Sequence, residues 1–251
     1  MQRTISLNFN KGSVKGDFYL WLFNKKVEFL PDRFSLKKSG KSWKVKNWKA
    51  KDVDQIYNMD YDDGLLVSAN EKLFTITETN TCKPHLSIWI SQNDLSIDDE
   101  DIDKFLCYDG FTSAYLFDSV YEKVQSTVFQ GNIEGMGYPL ESIKNTPYKL
   151  DPYTKMKMFD ISFNPGRSVL IGGTWIVAAW KMWFGEKFYD IVPKQHILSF
   201  PNAFQIQELK EGLIYIQLFE NIEESDTEKN MAIQKSWLEW INIDELERLY
   251  P

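Results

Sequence analysis

The residues with the most to offer as chemistry are few. There are two histidines, His85 and His196, and two cysteines, Cys82 and Cys107. Neither histidine belongs to a His-x-x-x-His or His-Glu pair, the local cue of a zinc hydrolase, and the cysteines form no Cys-x-x-Cys pair. No Gly-x-Ser-x-Gly elbow is present, and Cys82 lies too close in sequence to His85 for the familiar Cys-His couple. Gly131, Gly135 and Gly137 suggest a phosphate loop, yet no Gly-Lys-Ser/Thr follows them. The run Asp60, Tyr61, Asp62, Asp63, Gly64 looks like half of a calcium loop, but its glycine falls one place late and the twelfth position is Ala69. We therefore assign no catalytic residue, no metal ligand and no cofactor. One enzymatic alternative stays open: 36 Asp and Glu residues provide many carboxylate pairs, whose separation in space a sequence does not reveal.

The elements that would position such groups read as α+β. Phe18 to Phe23 and Val27 to Leu30 suggest a hairpin. Leu65 to Ala69 and Leu73 to Thr79 form a strand pair around Asn70 and Glu71, and Leu86, Ile88 and Ile90 alternate in a third strand, giving a meander. Ile97, Ile102, Phe105 and Leu106 supply the apolar side of a short helix whose first turn is rich in carboxylates, which suit the positive end of its dipole. Phe111 to Val124 mixes helical spacing with strand formers and receives no assignment. Gly131 to Pro165 is loop-rich and marks a soft subdivision within one domain spanning 1–251. Val169 to Met182 reads as a strand covered on both faces, and Leu213 to Phe219 as another. Ser225, Asp226 and Thr227 offer caps for a terminal helix with Met231, Ile233, Trp237, Leu238, Ile241 and Leu246 as its apolar stripe. The expectation is a mostly antiparallel sheet with a C-terminal helix packed on it.

Charge is distributed unevenly. The net charge is −7, but the basic β portion 1–51 holds 13 Lys and Arg against 3 acids, a balance of +10, leaving 16 basic and 33 acidic residues, −17, in the remainder. Within Ser35 to Lys51, seven lysines interleave with Trp43 and Trp48. That pattern fits a nucleic-acid surface, but a strand edge guarded by lysine is the preferred reading. An acidic remainder repels phosphates, so nucleic acid is the lesser expectation. No secretory signal or membrane span is visible, and two thiols suit a reducing compartment, so a cytoplasmic protein is expected.

Two stretches carry a resemblance. Gly110-Phe111-Thr112-Ser113-Ala114-Tyr115-Leu116-Phe117 with Tyr121 and Gln125, and Asn164-Pro165-Gly166-Arg167 followed by Met182-Trp183-Phe184-Gly185-Glu186, together resemble bacterial immunity-type proteins encoded beside the toxins of interbacterial competition, such as type VI secretion effectors. The resemblance spans roughly 110–240. It implies a cytoplasmic protein that binds a cognate toxin, with nucleases among the candidates, and occludes its active site. No binding residue is carried over from the family. From the residues themselves, Asp98, Asp99, Glu100, Asp101 and Asp103 form an acidic ridge able to meet a basic groove and to speed association. Arg167 and Trp183 are expected to hold the fold. The rival readings are an enzyme with an unsignalled carboxylate site and a nucleic-acid-associated protein using 37–51.

Overall fold

A computed structural model describes residues 2–10, 12–14, 33–36, 44–47, 65–69, 72–79, 85–92, 98–106, 110–209 and 212–250. The hairpin expected over Phe18 to Leu30, the calcium-like run at Asp60, Cys82 and Cys107 lie outside them.

Among the described residues ten strands form one sheet, and every pairing between them is antiparallel. They are β1 (Arg3–Asn10), β2 (Arg33–Leu36), β3 (Lys44–Asn47), β4 (Leu65–Ala69), β5 (Lys72–Thr79), β6 (His85–Gln92), β7 (Phe111–Asp118), β12 (Lys181–Phe184), β13 (Gln205–Glu208) and β14 (Ile214–Gln217). Their order is β13-β14-β12-β7-β1-β6-β5-β4-β2-β3. The α+β expectation and the meander β4-β5-β6 hold. Among the described strands β3 is outermost, the position at which lysine guards against edge pairing.

The first strand was not anticipated, and it sits in the middle of the sheet. Its alternation is the reason. Ile5, Leu7 and Phe9 share one face with Leu86, Ile88 and Ile90 across the ladder, while Thr4, Ser6 and Asn8 share the other with Ser87 and Ser91. Both sets are buried. The polar set is compensated by hydrogen bonds, as burial requires: Ser87 Oγ donates to Asn8 Oδ1 at 2.7 Å, Asn8 Nδ2 donates to Ser113 Oγ at 3.3 Å, and Ser113 Oγ lies 2.9 Å from Thr174 Oγ1.

Phe111 to Val124, ambiguous in sequence, is a strand followed without a loop by a helix. β7 ends at Asp118, whose Oδ1 accepts from the Val120 and Tyr121 backbone N–H groups at 2.8 and 3.4 Å and so starts the next helix (Ser119–Ser126). Val169 to Met182 corrects the single-strand expectation. It comprises β10 (Ser168–Ile171) and β11 (Thr174–Val177), a hairpin lying beside the sheet, and then β12 within it. The two-residue turn is Gly172-Gly173, both at positive φ (58° and 84°), as a type I′ turn demands.

The chain closes with α5 (Glu228–Trp240) and α6 (Ile243–Leu249), numbered after α1 (Asp99–Leu106), α2 (Ser119–Ser126), α3 (Gln130–Gly135) and α4 (Lys194–Leu198). The apolar stripe expected to run to Leu246 in one helix is broken at Asn242, which adopts a left-handed φ of 56°. Trp237 anchors α5 on the sheet, fully buried and packed on Phe184 and Phe200 with ring centroids 5.8 and 5.2 Å away. Truncating such a side chain to Ala costs about 3–5 kcal/mol. β7 and β12 pair with each other across the loop-rich interval 131–165, so the sheet is continuous there.

Candidate interaction surface

The acidic ridge falls on α1 and its cap. Asp98 Oδ1 accepts from the Asp101 N–H at 3.0 Å, and Asp101 Oδ2 accepts from the Asp98 N–H at 2.8 Å. This is a reciprocal capping box. It corrects one of the five expected contacts: Asp101 is 1% exposed and its carboxylate serves the helix end, not a partner. The Asp-x-x-Asp spacing ahead of an apolar run is the sequence signal for that role. Asp98 and Asp103 are exposed. Asp99 and Glu100 lie on the first turn of α1, with side chains outside the described residues.

The positions that carry the resemblance converge on packing. Gly166 approaches α2 so closely that a Cβ would stand 2.4 Å from Tyr121 Cε1 and 2.8 Å from Gln125 Cγ. Its N–H donates to Gln125 Oε1 at 3.1 Å, and Asn164 Nδ2 donates to the Gln125 carbonyl at 2.9 Å. Arg167 is buried, donating to the Ser162 carbonyl at 2.7 Å and pairing with Glu247 at 3.1 Å. At Gly185 a Cβ would lie 2.8 Å from the Phe111 carbonyl oxygen, and Trp183 is buried in the sheet. Arg167 and Trp183 thus hold the fold, as expected.

Buried carboxylates are the signature an unsignalled enzyme site would leave. Asp101 and Glu122 are the buried acids among the described residues, and they lie on different helices, α1 and α2. Burial pushes the Glu122 carboxyl above its ordinary range, while the hydroxyls of Ser168 and Ser126 that donate to it pull it down. Neither acid lines the grooves described below. Among the described residues no three His, Cys, Asp or Glu side chains are grouped so that they could hold a metal ion. His196 stacks on Trp240 with centroids 4.8 Å apart and planes 4° from parallel, its Nε2 2.6 Å from the Trp240 carbonyl oxygen. The side chain of His85, and those of the basic segment 37–51, lie outside the described residues.

The surface feature that sequence reading missed is the hairpin of β8 (Tyr148–Leu150) and β9 (Lys157–Phe159). Among the described residues eight large hydrophobic side chains are exposed, and six of them, Met136, Tyr148, Leu150, Tyr153, Met156 and Phe163, fall within 136–163. Such clustering exceeds the scattered exposure of ordinary surfaces. Tyr153 is 91% exposed and Leu150 64%. The tip that presents them is built: Asp151 Oδ1 accepts from the Tyr153 and Thr154 N–H groups at 3.0 and 2.6 Å and from Thr154 Oγ1 at 2.9 Å. Those bonds hold the Asp151 carboxyl below the usual range. At the base, Tyr148 stacks on Phe159 at 4.7 Å, Lys157 Nζ sits 3.9 Å from the Tyr148 ring centre, and the Asp160 N–H donates to the Pro147 carbonyl at 2.8 Å. Glycine and proline mark this interval as loop, and the pairing that orders it is invisible in them.

At the foot of the hairpin lies a groove of about 640 Å³ between the 141–147 segment, Phe163 to Pro165 and the start of α5. Pro147, Phe163, Pro165, Met231 and Ala232 form the apolar part of its lining, and Glu141, Lys144, Asp226, Glu228 and Lys235 the charged part. A second groove of about 330 Å³ shares Phe163, Pro165 and Lys235 and continues along α5 toward Asn242. The 220–228 stretch beside it exposes Glu220, Glu223, Glu224, Asp226 and Glu228 around the buried anchors Ile222 and Ser225.

The arrangement defines a sheet scaffold that displays an ordered, apolar-tipped hairpin next to an acidic strip. Comparison with family models, with curated proteins and with solved structures returns no match for this chain. Among the described residues no helix is long and apolar enough to cross a membrane.

Proposed function

We propose that this chain is an immunity-type protein that binds a cognate toxin in the cytoplasm and neutralises it by covering its active site, with nucleases among the candidate toxins. The observation that carries the reading is the hairpin at 148–159, which spends its own hydrogen bonds on holding Leu150, Tyr153 and Met156 in water. Exposed aromatic and methionine side chains on a rigid support are characteristic of protein contact surfaces. The resemblance over 110–240 and the acidic surfaces, which would steer a basic partner, support the same reading. In it, Asp98, Asp99, Glu100 and Asp103 are rim contacts that set association rate.

The test is capture of a partner from the native host with tagged protein, followed by co-expression of that partner with and without this chain. One stoichiometric partner whose toxicity is relieved is the expected result. Absence of a stoichiometric partner, or a partner whose toxicity persists on co-expression, overturns the proposal.

A further inference from the structure

The groove beside α5 has a chemistry of its own. Its lining sets an apolar patch of Pro147, Phe163, Pro165, Met231 and Ala232 among polar and charged groups, and Phe163 is 63% exposed. The two lysines along it are already engaged: Lys144 bonds Glu141, and Lys235 lies 3.8 Å from Glu239. Among the described residues no ion pair within 4 Å involves Asp226 or Glu228, although Glu228 also acts on Lys144 from a distance. Five acids occupy 220–228 with no basic residue among them. The N-terminus of α5, capped by Thr227, accounts for an acid at Glu228. It does not account for Glu220, Glu223 and Glu224, which precede the cap. A groove that joins an apolar patch to carboxylates with no ion pair among the described residues is complementary to a basic segment that also carries a bulky apolar side chain, and opposed to an acidic one.

We propose that this groove docks a Lys/Arg-rich protein segment, its apolar side chain resting on Phe163 between Pro147, Pro165 and Met231 and its cations meeting Asp226 and Glu228. The proposal rests on the reading of the chain as a protein binder, but not on the partner being a toxin.

The probe is a fluorescein-labelled peptide of about twelve residues, rich in Lys and Arg with one central Leu, titrated into the full chain by anisotropy. Two comparison peptides replace the Leu with Gly or the cations with Glu. Asp226→Asn/Glu228→Gln is expected to weaken binding at least about five-fold, equivalent to about 1 kcal/mol, and Phe163→Ala about ten-fold. Glu220→Gln/Glu223→Gln removes the same charge outside the groove and is expected to change binding less than about two-fold, with thermal melts confirming that all variants fold. Equal weakening by the two charge pairs, indifference to the Leu, or no binding overturns the proposal. Retention of the native partner by Phe163→Ala with Asp226→Asn/Glu228→Gln overturns the groove alone. Failure of the capture experiment with unaltered protein, by contrast, bears on the immunity reading.

Discussion

Glu122 is where a single side chain sets a property of the whole. Its carboxyl is buried on α2 and met by the hydroxyls of Ser126 and Ser168, and burial, outweighing those hydroxyls and the charge of Lys123, raises it above its ordinary value of 4.5. A carboxyl raised in the folded state contributes stability that is fully present below the unfolded value and is lost as pH rises through the folded one. Near neutral pH the ionised group is therefore a cost. Glu122→Gln is expected to raise stability at about pH 7.5 by on the order of 1 kcal/mol, or about 2–4 °C in a chain of this length. The gain should shrink to nothing as pH falls to about 4. Thermal melts of both proteins across that range check it, and a gain independent of pH would show that packing, not ionisation, is responsible.

Among the elements, α1 separates two roles that one acidic run merges in sequence. Asp101 closes the capping box with Asp98 and is buried, whereas Asp103 faces outward. Asp101→Asn is expected to lower stability by about 1 kcal/mol and to leave the affinity for the captured partner unchanged. Asp103→Lys is expected to leave stability within about 0.5 kcal/mol and to slow association, most visibly at low salt. Chemical denaturation and stopped-flow binding distinguish the two; unaltered association in Asp103→Lys would remove the ridge from the contact. The run of carboxylates was legible from residue types, but the division of labour within it depends on which turn of the helix each residue occupies.

For the whole molecule, the relevant fact is that the hairpin of β8 and β9 stands outside the ten-stranded sheet. Its apolar tip contributes nothing to the main core, so its removal tests function without testing folding. Leu150→Ser/Tyr153→Ser is expected to change unfolding free energy by less than about 0.5 kcal/mol while weakening partner binding by about 2 kcal/mol or more, the size of a contact hot spot. Paired denaturation and affinity measurements check this. Full affinity in the double variant would place the contact elsewhere on the surface.

Local pattern by itself determined the α+β class, the meander β4-β5-β6, the strand at 213–219 and the terminal helix with its cap, because propensity, alternation and capping act over a few residues. It also marked Arg167 and Trp183 as parts of the scaffold. Strand order was decided only by tertiary structure. Pairing Asn8 with Ser87 and Ser113 joins residues far apart in the chain, and the polar alternation of Thr4, Ser6 and Asn8, which read alone suggests a wet face, is buried because those partners satisfy it. Tertiary structure likewise turned one acid of the ridge inward, broke an apparent strand at Gly172-Gly173, and raised an apolar hairpin out of a stretch that glycine and proline present as loop. In each case the outcome depends on hydrogen bonds and packing with residues that local sequence does not contain.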